Sequence, residues 1–246
     1  MKRLVVLQHI EREGPELFAS IAEEKGYRVK IYRLDNGDDL PKLEKNDLLL
    51  IMGGPMGVNQ INEEYPWLKE EIKLIKKSLK QNISIIGICL GAQLLAYACG
   101  GKIEKLKRNS SSRFLAEIGW APIHSLENDI DDELKNIIKD LMYVLHWHGD
   151  RIILPPNAKL IASSQYCKEQ LFKINERSYG LQFHIETNYE MIEKWICEDK
   201  DFISLALGHN GQSILKEENK IYSNSTLSKR ISFINKLIDI VTKKAQ

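Results

Sequence analysis

The chain has 246 residues, enough for a globular unit with a full hydrophobic core and no covalent staples. Lys and Arg number 35 against 34 Asp and Glu, a net charge of +1, so bulk charge gives no support for binding nucleic acid or a membrane surface. No run approaches the ~18 apolar residues of a membrane span, and the run at residues 2–8 is too short for a signal peptide, so a cytoplasmic protein is expected.

Residues 4–7 are a short β-rich run. Residues 15–25 place Leu17, Phe18, Ile21 and Ala22 at helical spacing, and Gly26 ends that helix. Residues 27–34 alternate polar and apolar, as a strand does. Residues 47–52 are almost wholly apolar, the pattern of a strand covered on both faces, and Gly53-Gly54-Pro55 stops it. Residues 65–80 form an amphipathic helix through Leu68, Ile72, Ile75 and Leu79. A second apolar strand at 84–88 leads into a helix at 90–98, closed by Gly100-Gly101. This rhythm predicts an α/β fold with an open, mostly parallel central sheet and helices on both faces.

The second half is richer in strand, with candidates at 118–123, 143–146, 159–163, 170–174 and 179–183 and a helix at 131–139. A helical region opens at 187–197. Residues 209–225 are polar and read as a loop or short helical link. Residues 225–244 give a helix whose apolar face packs on its own domain or on a second subunit, which leaves a homo-oligomer open. No repeat, low-complexity stretch or firm boundary interrupts the chain. A single domain over 1–246 is expected, with a core at about 1–195 and a C-terminal helical extension at about 196–246.

Cys89, Cys99, Cys167 and Cys197 form no C-x-x-C pair, so they suggest neither a zinc site nor a disulfide scaffold. Cys89 alone has a setting. Gly87-Ile88-Cys89-Leu90-Gly91 follows a buried strand and opens a helix, the pattern of a nucleophile elbow with Cys in place of Ser. The sharp turn strains the backbone and needs tiny flanking residues. A helix N-terminus favours a thiolate, and its free N–H groups can hold an oxyanion. A nucleophilic thiol also needs a base, and the base an orienting acceptor. His9, His124 and His209 have no carboxylate in a suggestive position. His146 and His148 flank Trp147. His184 ends a strand, and Glu186 stands two residues on, a spacing that points both side chains the same way in extended chain. Cys89, His184 and Glu186 are therefore the candidate triad.

These residues resemble the class I glutamine amidotransferase family, in which a Cys-His-Glu triad carries the nucleophile. Gly53-Gly54-Pro55-Met56 looks like the family's oxyanion strand end, and Gly87-Ile88-Cys89-Leu90-Gly91-Ala92-Gln93 like its elbow. Trp147-His148-Gly149-Asp150 resembles its His-Gly-Asp loop, and Gln182-Phe183-His184-Ile185-Glu186 its His-Pro-Glu motif. The likeness runs over about residues 1–195 and is greatest to the stand-alone branch similar to the amidotransferase domain of GMP synthase, some of whose plant relatives are γ-glutamyl peptidases. One departure stands out: Ile185 occupies the place of the family's proline, which puts the rigidity of Glu186 in question.

The resemblance implies a flavodoxin-like fold and attack by the Cys89 thiolate on the side-chain amide of glutamine. His184 would be the acid and base, Glu186 its orienter, and the N–H groups of Gly54 and Leu90 the oxyanion donors. Met56, Gln93 and Phe183 would line the glutamyl pocket, with His148 at its mouth and Arg113 a candidate for the substrate's carboxylate. No metal and no cofactor are implied, and neither a phosphate-binding loop nor a dinucleotide fingerprint is present in the sequence. Three readings compete: a glutaminase or amidotransferase subunit feeding ammonia to a synthetase partner, a γ-glutamyl peptidase or hydrolase, and a non-catalytic binding or regulatory module. The roughly 50 residues past the likeness are too few for a synthetase domain, so the chain is expected to be a small hydrolase or one half of a complex.

Overall fold

Two short segments, Leu48–Ile51 and Ser84–Ile88, are buried at every position, which a sheet covered on both faces requires. The computed structural model describes residues 2–61, 64–107, 115–126, 133–141 and 143–243. Arg113 and the start of the helix expected at 131–139 lie outside the described residues. In chain order the elements are β1 (Arg3–Gln8), α1 (Glu16–Glu24), β2 (Arg28–Arg33), β3 (Leu48–Ile51), α2 (Trp67–Lys80), β4 (Ser84–Ile88), α3 (Leu90–Ala98), β5 (Lys102–Lys105), β6 (Glu117–Pro122) and β7 (His124–Ser125). There follow α4 (Leu134–Leu141), β8 (Tyr143–His148), β9 (Asp150–Ile153), β10 (Lys159–Ser163), β11 (Leu171–Asn175), β12 (Ser178–Leu181), α5 (Tyr189–Glu198), α6 (Lys200–Leu207), α7 (Gly211–Ser225) and α8 (Leu227–Thr242).

Among the described residues the central sheet has eight strands in the order β2-β1-β3-β4-β12-β11-β10-β7. β2, β1, β3, β4 and β12 are parallel, and the β12–β11, β11–β10 and β10–β7 pairs are antiparallel. The period-2 rule divides the core. Leu4, Val6, Leu48, Leu50, Ile86 and Ile88 pack with α1 and α8, while Val5, Leu7, Leu49, Ile51 and Ile85 pack with α2 and α3. This is the expected mostly parallel α/β architecture with helices on both faces.

The C-terminal stretch is part of that architecture. Phe233, Ile234, Leu237, Ile238 and Val241 of α8 are fully buried in the first core cluster, so this helix packs on its own sheet. The expected link at 209–225 is instead α7, a helix of 15 residues. Its buried positions are Gly211, Leu215, Asn219 and Ser223, spaced by four but mostly small or polar, so the helical period was present without a hydrophobic signal. Asn219 uses its amide to hold α5, donating to Tyr189 O at 3.2 Å and Glu193 Oε1 at 2.9 Å. Two antiparallel ribbons, β5–β9 and β6–β8, lie outside the main sheet. The first was illegible because Lys102–Lys105 is polar and largely exposed. Among the described residues no helix is long and apolar enough to cross a membrane. All four cysteines are free.

Candidate active site

The C-terminal ends of four neighbouring strands, β1, β3, β4 and β12, converge on one cavity of about 320 Å³. That is the edge at which open α/β sheets bind ligands. Cys89 stands between β4 and α3 with φ 48° and ψ −105°, a strained conformation for a residue with a side chain. The flanking glycines explain how the turn closes. A Cβ on Gly91 would stand 2.1 Å from the Ile51 carbonyl oxygen, and one on Gly87 would stand 2.5 Å from the Gly91 backbone. The Cys89 N–H is held by Leu181 O at 2.7 Å, and Gly91 N–H by Met52 O at 3.1 Å. Leu90 begins α3, where backbone N–H groups have no partner within the helix.

His184 is 1% exposed, and its Nδ1 lies 2.7 Å from Glu186 Oε1. Burial alone would lower the imidazole's pKa. The Glu186 carboxylate and the neighbouring Cys89 thiol override burial and raise it well above the ordinary histidine range. With Nδ1 engaged by Glu186, Nε2 is the nitrogen left for the thiol. The Trp195 ring meets the imidazole edge-on at 4.9 Å and fixes its plane. Gln182 Nε2 donates to Cys89 Sγ at 3.5 Å, and Gln93 Nε2 donates to Gln182 Oε1 at 3.3 Å.

Ile185 changes the hydrogen bonding of this segment. Its N–H donates to Glu186 Oε2 at 2.9 Å, a bond that proline could not make. Two outside elements hold the backbone. Leu17 N–H of α1 donates to Glu186 O at 3.0 Å. The fully buried Arg230 of α8 donates to Ile185 O at 3.2 Å, Thr187 O at 2.6 Å and Ser223 O at 2.7 Å. Its guanidinium also sits 5.4 Å from the Trp120 ring centroid. Burial lowers the Arg230 pKa to about 10, with Glu186 opposing the shift.

Of the residues expected from sequence, Gly54, Met56, Cys89, Leu90, Gln93, His148 and His184 all border the cavity. Phe183 does not: it is fully buried and meets Phe233 of α8 edge-on at 6.5 Å, because successive residues of extended chain point to opposite faces. Glu186 is buried beside His184 and outside the cavity lining.

Sequence reasoning missed a charged group on the same cavity. Arg12, Glu13 and Asp199 border it together with Trp147. Arg12 donates to Asp199 at 2.8 Å, and Trp147 Nε1 donates to the same carboxylate at 2.8 Å. Burial pushes the Glu13 carboxyl up to about 6, against the pull of His184 and Arg12. The available signal was position: Glu11-Arg12-Glu13 follows the C-terminal end of the first strand. The carboxylate partner of His9 comes from a distant element rather than from its sequence neighbours. His9 Nε2 is 3.1 Å from Glu71 of α2, and its Nδ1 is 2.9 Å from Gly53 O. Burial would lower the His9 pKa, but Glu71 overrides it and raises the value.

Known proteins resemble the chain over most of its length. The family model for glutamine amidotransferase class-I matches residues 16–200. The glutamine amidotransferase-like protein YfeJ of Salmonella typhimurium is 29% identical over 209 residues, 84% of each chain. Gamma-glutamyl peptidase 3 of Arabidopsis thaliana is 25% identical over 72% of this chain and 70% of its own. The chain also matches GMP synthases, such as that of Cellvibrio japonicus, over 33% of their length at 28% identity. A solved glutamine amidotransferase from Thermotoga maritima superposes with a TM-score of 0.80 at 26% identity, covering 98% of both chains. The chain belongs to the class I glutamine amidotransferase family.

Proposed function

We propose that this chain hydrolyses the side-chain amide of glutamine through a γ-glutamyl thioester on Cys89, releasing glutamate and ammonia. The observation that carries this reading is the His184 imidazole held at 2.7 Å by Glu186 beside the strained, cavity-facing Cys89. His184 Nε2 holds the proton taken from the thiol, as its raised pKa favours, and the Cys89 thiolate attacks the amide carbon. Glu186 keeps the ring oriented and supports its positive form. The oxyanion of the tetrahedral intermediate takes the N–H groups of Gly54 and Leu90. His184 then gives its proton to the departing nitrogen, the C–N bond breaks and ammonia leaves. Water, deprotonated by His184, attacks the thioester, and glutamate departs, leaving the thiolate on Sγ and the proton on His184. Met56 and Gln93 line the glutamyl side. A cavity of about 320 Å³ is at the small end for ligand sites, in keeping with a single amino-acid-sized group.

A γ-glutamyl peptidase or hydrolase is the second reading. It uses the same thioester chemistry, and the likeness to Gamma-glutamyl peptidase 3 favours it. The likeness to GMP synthases favours ammonia delivery to a synthetase partner. The four free thiols suit a reducing, cytoplasmic setting.

Glutamate release from glutamine and from γ-glutamyl dipeptides tests the proposal. The wild type is expected to release glutamate from glutamine, and Cys89→Ala to lose at least about 10⁴-fold of the rate. Undiminished release by Cys89→Ala overturns the nucleophile. Release from dipeptides alone replaces the first reading with the second.

A further inference from the structure

Behind the cavity wall, β6 and β8 pair so that Glu117 stands opposite His148. Glu117, His146 and His148 are all buried, and each offers one ligand atom within 4.8 Å of the others. Glu117 Oε2 lies 3.2 Å from His148 Nε2 and 3.7 Å from His146 Nδ1. Bonds of about 2.0–2.1 Å to a tetrahedral ion set neighbouring ligand atoms about 3.3–3.4 Å apart, and the two distances bracket that spacing. His-x-His on one strand puts both rings on one face, and the paired strand brings the carboxylate.

The hydrogen bonds leave a cation's place among these atoms. His148 Nδ1 is 2.9 Å from Asp150 O, and a carbonyl only accepts, so Nδ1 carries a proton. Nε2 faces Glu117 Oε2 at 3.2 Å, where either a ring proton or a metal ion can lie between the two atoms. Gln170 Nε2 is 2.7 Å from Glu117 Oε2, 3.1 Å from Ser164 Oγ and 3.3 Å from His148 Nε2. Its two protons go to the two shorter contacts. Among the described residues neither ring nitrogen of the buried His146 has a side-chain hydrogen-bond partner; its polar neighbours are the Ala121 backbone and the Glu117 carboxylate at 3.7 Å, a thin set for a buried imidazole. The surroundings match those of metal ligands. The free nitrogen of His148 donates to a carbonyl, and Glu117 Oε1 accepts from Ser164 Oγ at 2.5 Å and Tyr166 N at 3.3 Å.

We propose that Glu117, His146 and His148 bind one divalent transition-metal ion of the zinc class, with a water in the fourth position. The ion pins the β6–β8 ribbon, which carries Trp147 and His148 to the cavity. Entry is through the cavity, which His148 borders. The test uses full-length protein carrying Cys89→Ala, so that the nucleophile cannot bind the probe. After chelation and dialysis against zinc, it is expected to retain about one equivalent and to melt at a higher temperature. Cobalt should give the visible bands of a tetrahedral site. Adding His146→Phe, which keeps the ring, or Glu117→Gln should weaken binding by about 100-fold or more and remove the melting shift. No stoichiometric zinc, or zinc undiminished in both variants, overturns the site.

A second inference comes from β1 and rests on the thioester reading. The Gly53 carbonyl accepts from His9, whose other nitrogen is fixed by Glu71 on α2. A trans peptide points its N–H opposite its C=O. Gripping Gly53 O therefore aims the Gly54 N–H away from His9. We infer that the buried His9–Glu71 pair is a positioning device for the oxyanion donor of Gly54. His9→Gln is expected to lower kcat about 10–100-fold with KM nearly unchanged, and Glu71→Gln on top should add little. A γ-glutamyl aldehyde, which forms a tetrahedral adduct with the thiol, should lose affinity in parallel while a glutamine-mimicking chloroketone still labels Cys89. An unchanged kcat, or aldehyde affinity unmoved while kcat falls, overturns the inference. Failure of the chloroketone to label wild type overturns the thiol reading and this inference with it.

Discussion

Two walls of the cavity are built on different principles. The sheet wall carries Gly54, Cys89 and His184 on the ends of three adjacent strands, each placed by local backbone rules. The ribbon-and-helix wall carries Trp147, His148 and Asp199, placed by contacts between distant parts of the chain. Arg12 reaches Asp199 across 187 positions, and Gln170 reaches Glu117 across 53. The sheet wall is thus rigid through its backbone and intolerant of added atoms. The other wall is rigid through buried polar contacts and fails when one of them is left unpaired.

The largest effect is expected where the sheet wall is tightest. Gly91→Ala puts a methyl 2.1 Å from the Ile51 carbonyl oxygen, an atom of the central sheet that no rotamer change can move. The loss should exceed about 3 kcal/mol, seen as a lower denaturant midpoint, and hydrolysis should vanish with the elbow.

This contrast explains what could be read in advance. Gly87-Ile88-Cys89-Leu90-Gly91 was legible because its constraints are local: buried strand, tight turn, helix start. His184 and Glu186 were legible through their two-residue spacing. Arg12 with Asp199, His9 with Glu71, and Glu117 with His148 were not, because only the fold brings them together. Phe183 went astray on local grounds, since its neighbour His184 takes the cavity side. Helix α7 escaped notice because Asn219 and Ser223 stand where apolar residues would have marked its buried face.

Arg230 breaks the comparison differently, being a distant residue that steadies the sheet wall. Arg230→Met keeps the apolar stem but leaves the Ile185, Thr187 and Ser223 carbonyls without their donor. A cost of about 2–3 kcal/mol is expected. Loosening of Glu186 should lower kcat more than it raises KM, read from steady-state kinetics.

Glu13 lies where the two walls meet, and its effect depends on pH. The folded chain keeps its proton to about pH 6, while the unfolded chain releases it near the ordinary value of 4.5. Between these values the native state holds more protons than the unfolded one, so stability falls as pH rises through the window. The loss is about 2 kcal/mol. Glu13→Gln should therefore match wild type below pH 4.5 and exceed it by that amount above pH 6, as denaturant melts at the two ends would record. A flat difference across the window would place the cause elsewhere.

The smallest effect concerns Ile185. Proline there would remove the N–H that reaches Glu186 Oε2 at 2.9 Å, a loss of about 1.5–3 kcal/mol for a hydrogen bond to a carboxylate. It would also stiffen the unfolded chain, a gain of about 0.4–1 kcal/mol. The loss outweighs the gain, so Ile185→Pro should lower stability by about 1–2 kcal/mol and leave hydrolysis within a few-fold. Arg230 and Leu17 already hold the backbone on either side, so the ring's rigidity adds little to an orientation fixed from outside. A large gain in kcat for Ile185→Pro would mean instead that Glu186 is loose in this chain and that these outside contacts do not hold it.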